Sequence, residues 1–199
     1  MFKKNIGRRN KEIGMNVVMA EKFEQFEWLT HGITAKSPNF EPQAHGTGEK
    51  PLNYEDRLGA IASMETQLAK SVTSVIVYGE SSVSDFEYIR NHLAKIMMDV
   101  AYADKKREPE QIAIYHLSWQ VAKMVLVFSL NPDYEGNFTA KGRLEVVAGI
   151  SAIQMPANIY RQTWKPYENL MVIALEMAIK EASEAIDKYR RATYMEFEA

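Results

Sequence analysis

An all-α fold is the class this sequence predicts, and three observations predict it. Apolar residues recur at three- and four-residue spacing along most of the chain. Helix-starting residues stand ahead of those stretches: Asn53, Ser84, Thr139, Pro109 and Pro156. The 199 residues are 46% hydrophobic and 25% charged, which is enough apolar material for one sizeable core, or one core plus a small lobe. The expected architecture is a compact helical domain of about six helices, with a helix-turn-helix-like pair near the C-terminus and a long C-terminal helix.

Composition narrows the chemistry. Cysteine is absent, so disulfides, thiolate metal sites and cysteine nucleophiles are excluded, which suits a cytoplasmic protein. The basic opening Phe2-Lys3-Lys4 leads into further charge rather than an apolar run, so no signal peptide is expected. No uncharged apolar stretch reaches the ~18 residues of a membrane span. The net charge of -2 decides nothing about nucleic acid, because the distribution of charge matters more than its sum.

Residues 1–52 are expected to be a basic arm, a short helix and a loop. Lys3, Lys4, Arg8 and Arg9 make the arm a candidate for phosphate contacts; a solvated, frayed terminus is the plainer reading. Val17, Val18, Phe23, Phe26 and Trp28 are loosely helical in spacing. His31-Gly32 and the prolines that follow mark a linker. His31 and His45 lack acids at ligand spacing, so no metal site is expected.

Residues 53–138 are expected to form a helical body. A helix over 53–77 is predicted by Asn53 as cap, acids Glu55 and Asp56 in the first turn, and the face Leu58, Ile61, Leu68, Val72 and Val75. The β-branched run within Ser71–Tyr78 is also compatible with a strand. Ser84 and Glu87 have the spacing of a capping box ahead of a helix over 84–103, with Ile89, Leu93 and Met97 inward and His92 on its rim. Pro109 fits the first turn of the next helix, which becomes apolar all round from Val121 to Leu130. Tyr115 and His116 are expected to pack, and Asn131-Pro132 to stop the helix.

Residues 139–199 carry the candidate site. Thr139 caps a helix whose inward set is Leu144, Val147, Ala148, Ile150 and Ile153, and Ala148-Gly149-Ile150-Ser151 is a small-residue corner of the kind that lets two helices approach. Pro156 begins a second helix, with Ile159 and Trp164 as anchors. The connection from Ile150 to Pro156 exceeds the usual three- or four-residue turn. Asn158, Arg161, Gln162 and Lys165 project outward; asparagine and glutamine side chains pair with adenine and arginine with guanine. Lys141, Arg143, Arg161 and Lys165 against Glu145 alone give this stretch a local excess of three positive charges, so phosphate attraction concentrates here. Pro166 is expected to kink or restart the helix. Tyr167, Leu170, Ile173, Ala174, Met177, Ala182, Ile186 and Tyr189 then form a narrow seam suited to a partner helix or a homodimer.

No catalytic constellation assembles. The four histidines are scattered, GxSxG is missing, and Gly46-Thr47-Gly48-Glu49-Lys50 lacks the spacing and terminal Ser or Thr of a phosphate loop, so neither enzymatic activity nor a cofactor is expected. The run RLEVVAGIS followed by YRQTWKPYENLM resembles the C-terminal helix-turn-helix of phage-encoded regulators of the Q-type late-gene antitermination class, over about residues 140–189. The resemblance implies binding to double-stranded DNA near a promoter and loading onto RNA polymerase, with Arg161, Gln162 and Lys165 at the DNA and the helices of 54–130 at the polymerase. The alternative is a helical interaction factor, an inhibitor or assembly protein, that does not bind DNA.

Overall fold

The computed structural model describes residues 23–30 and 54–198, and among them the chain is all-α, with no strand. The basic arm, His31, His45 and the glycine-rich 46–50 stretch lie outside the described residues. The chain divides into two units, Met1–Met64 with Ala182–Ala199, and Glu65–Glu181. This division differs from expected boundaries at 52/53 and 138/139.

The smaller unit contains α1 (23–30), α2 (Tyr54–Ala62) and the last part of the C-terminal helix. Phe26, Leu29, Ala60 and Ile186 are fully buried there. Arg57 Nε donates to the Leu29 carbonyl at 2.9 Å, so a buried guanidinium closes the end of α1. A Cβ at Gly59 would meet the hydroxyl end of the Tyr189 side chain, so a larger residue there would push that ring aside.

The larger unit begins where the single helix expected over 53–77 is broken. Residues 63–66 interrupt it, and α3 (Gln67–Tyr78) starts afresh. Two acceptors stabilise the break: the Thr66 hydroxyl caps Ala69 N at 3.1 Å, and the Glu181 carboxylate accepts from the amides of Glu65 and Thr66 at 3.0 and 2.7 Å. The Ser71–Tyr78 run is helix, not strand. Leu68, Ala69, Val72 and Val77 turn inward at helical spacing, and Thr73 Oγ1 donates back to the Ala69 carbonyl.

Helix α4 (Val83–Ala103) buries Ile89, Leu93 and Met97 as expected. The capping box does not form. Ser84 lies inside the helix and is exposed, Ser82 is the cap position with its hydroxyl on the Ser74 carbonyl, and Glu87 pairs with Arg90. His92 is half-buried and stacks on Tyr88. Helix α5 (Ile114–Leu130) starts five residues beyond Pro109, because the Glu108 carboxylate reaches forward to cap Ile114 N at 3.0 Å. Its second half is buried nearly all round. Tyr115 and His116 are exposed rather than packed, whereas Trp119 lies under the Arg90 guanidinium at 3.0 Å. Helix α4 packs against both α3 and α5.

A single turn, α6 (Pro132–Glu135), follows. Beyond it α7 (Ala140–Gly142) runs into a wide π-type turn over Arg143–Ala148, which packs on α5. The second helix of the pair starts as α8 (Ala157–Ile159), passes through another π-type turn over Tyr160–Trp164, and continues as α9 (Lys165–Glu198). The regular α-helix restarts at Lys165, one residue ahead of Pro166, as expected. The preceding wide turn bonds five residues back, so the missing proline amide falls where the ladder has already shifted.

Candidate nucleic-acid interface

The helix pair is built from its corner outward. Thr139 Oγ1 accepts from Gly142 N at 3.1 Å and starts the first helix. Gly149 ends it at φ 77°, a left-handed conformation in which a side chain is strained, and Ile150 N returns to the Leu144 carbonyl at 2.8 Å. The connection is a closed turn. Ser151 N and Oγ donate to Gln154 Oε1 at 3.0 and 3.1 Å, and Met155 N to the Ser151 carbonyl at 2.9 Å.

Leu144, Val147, Ala148 and Ile150 are buried as expected, but Ile153 is 83% exposed. Met155, buried in the connection, takes the inward place. Of the two expected anchors on the second helix, Trp164 is 2% exposed and Ile159 is 45% exposed. The inward seam runs Tyr160, Trp164, Glu168, Met171, and Ile159 lies about 100° around the helix from it.

The sequence-derived site residues separate into two groups. Asn158, Arg161 and Gln162 are exposed, share a face, and make no hydrogen bond or ion pair among the described residues. Lys141 is exposed and lies 3.7 Å from Glu145. Arg143 and Lys165 are drawn inward. Arg143 forms ion pairs with Glu135 and, at 3.2 Å, with Glu168, and its guanidinium lies 5.0 Å from the Phe128 ring centre. Lys165 Nζ reaches the same Glu168 oxygen at 2.5 Å. Both are among the residues expected at DNA, and both pair with a carboxylate in the seam.

That carboxylate is the residue sequence reasoning missed. Glu168 is 2% exposed, and its second oxygen accepts from the Tyr160 hydroxyl at 2.7 Å. Burial and the neighbouring Glu168 hold the Tyr160 phenol well above its ordinary range. The signal was present: Glu168 stands four residues after Trp164 and eight after Tyr160, on the side of the helix that their rings occupy. Asn169, also missed, is exposed and extends the polar face by a turn. Beside the seam, Tyr167 donates to Asp104 at 2.7 Å and its ring centre lies 5.7 Å from that of Trp164. Among the described residues no three His, Asp or Glu side chains gather as a metal site, and no helix is long and apolar enough to cross a membrane. The chain matches no protein-family model, no curated protein and no solved structure.

Proposed function

We propose that the protein binds double-stranded DNA through the helix that begins at Ala157 and acts as a transcription regulator. The observation that carries this reading is the exposed row Asn158, Arg161 and Gln162, free of internal partners among the described residues, on a helix anchored beneath by Tyr160 and Trp164. These side-chain types read adenine and guanine edges, and their rigid mounting limits the entropy lost on binding. Lys141 on the first helix contributes a phosphate contact. Arg143 and Lys165 act indirectly, by fixing the helix through Glu168.

Selection of bound duplexes from a random pool, followed by gel-shift titration, tests this. Arg161→Ala is expected to relax base preference at one position by about 1–3 kcal/mol. Recovery of no preferred duplex sinks the reading. The finer proposal, an antitermination-type factor of phage kind that loads onto RNA polymerase through the helices of 54–130, is supported by the resemblance of residues 140–189 alone. Retention of polymerase subunits on the immobilised protein after nuclease treatment is its expected result, and their complete absence counts against it.

A specific observation favours a second reading. Leu170, Ile173 and Met177 on α9 are 37%, 53% and 67% exposed, an apolar row suited to a partner helix, whether of another protein or of a second copy in a homodimer. Passage straight through a heparin column at about 0.1 M salt would favour this helical interaction factor over the DNA-binding regulator.

A further inference from the structure

Within the larger unit, a half-open cavity of about 120 Å³ lies between the two helices of the pair. Met124 of α5, Leu144 of the first helix and Ala157 of the second contribute to a wall that is mostly hydrocarbon. A hollow of this size matches a single six-membered ring, since engineered apolar cavities of about 150 Å³ take up benzene.

The charges around the cavity do not cancel. Glu168 is matched by Lys165, and Arg143 is shared between Glu168 and Glu135. Arg161 also lines the cavity, is exposed, and has no acidic partner among the described residues. An apolar hollow with one uncompensated guanidinium at its rim has the chemistry of a site for an amphipathic anion. Guanidinium pairs with carboxylate through two parallel hydrogen bonds, which fixes the anion while its apolar body fills the hollow.

We propose that this cavity binds a small carboxylate with a ring or short-chain body, held by Arg161, and that occupancy withdraws Arg161 from the DNA-reading row. The coupling half rests on the DNA-binding reading; the site itself does not. An effector of this kind releases DNA because one side chain cannot serve both partners.

Calorimetric titration of the full chain with benzoate tests the site, with acetate and benzyl alcohol as probes that keep only the charge or only the ring. Saturable one-to-one binding of benzoate is expected, with both controls weaker. Arg161→Ala is expected to weaken it about tenfold or more, the loss of a charge-assisted pair. Ala157→Leu, which fills the hollow and leaves the charges in place, is expected to abolish it, and Lys123→Ala on the exposed side of α5 to leave it unchanged. Circular dichroism confirms that each variant is folded. No saturable benzoate binding, or equal binding by Arg161→Ala, overturns the site. In gel shifts, benzoate is expected to lower the fraction of bound duplex. Undiminished DNA binding at saturating benzoate overturns the coupling. Absence of any DNA binding, with benzoate binding intact, overturns the coupling and the DNA reading while upholding the site.

Discussion

Glu168 shows how one side chain fixes the chemistry of its neighbours. A carboxylate 2% exposed would be costly alone, but Arg143, Lys165 and the Tyr160 hydroxyl satisfy both its oxygens. Glu168→Ala leaves Lys165 without its acid, Arg143 with Glu135 alone and the buried Tyr160 hydroxyl without its acceptor, and is expected to lower the unfolding free energy by about 3 kcal/mol in urea titrations. Glu168→Gln should cost less, because an amide oxygen still accepts from Tyr160; equal stability of both variants and the wild type would refute the network. A pH dependence follows from the same region. Burial, with the hydrogen bond to Asp104, pushes the Tyr167 phenol up to about 12, and Tyr160 is raised as well. A phenol whose folded pKa exceeds its unfolded value of about 10 favours the folded state in full below pH ~10 and loses that contribution as pH rises through about 12. Thermal melts should therefore be flat in this respect near neutrality and fall in the alkaline range, with part of the fall removed in Tyr167→Phe.

At the scale of elements, the long C-terminal helix separates what could be read in the sequence from what could not. Its existence follows from unbroken helical spacing, but its inward face does not, because two apolar rows lie side by side. Tyr167, Ala182 and Ile186 are buried as expected, but of the stretch between them Leu170, Ile173 and Met177 were expected inside and the adjacent Met171, Leu175 and Ala178 are buried in their place. Helical periodicity marks an apolar stripe and cannot choose between neighbours about one residue apart; packing against the rest of the larger unit decides. Leu175→Ala is accordingly expected to cost about 3 kcal/mol, whereas Leu170→Ala should stay within about 1 kcal/mol. Similar costs for the two would restore the expected register. Helix starts were also hard to read, since Glu108 and Glu181 cap chain segments 6 and 116 residues away from themselves in sequence. Glu108 stands beside Pro109 but caps Ile114, and nothing near Thr66 in sequence announces Glu181. The corner at Gly149 was legible: a small-residue run announced it, and its positive φ makes Gly149→Ala cost about 1 kcal/mol in the same urea titrations.

For the whole molecule, the all-α class was legible from spacing alone, while the division into Met1–Met64 with Ala182–Ala199 and Glu65–Glu181 was not, because it joins segments far apart in sequence. The candidate interface was half legible. Outward polar residues Asn158, Arg161 and Gln162 stand where helical geometry puts them, but the inward pull of Glu168 on Arg143 and Lys165 depends on tertiary contacts that no local window contains. The functional claim therefore concentrates on a smaller face than the charge count implied. Its most direct test is the affinity of wild type and the Arg161→Ala/Gln162→Ala variant for a selected duplex, measured by fluorescence anisotropy over a range of salt. The account predicts tight, salt-dependent binding by the wild type and a loss of about tenfold or more in the variant, with non-specific binding weakened far less. Indistinguishable affinities of the two proteins at every salt concentration would contradict it.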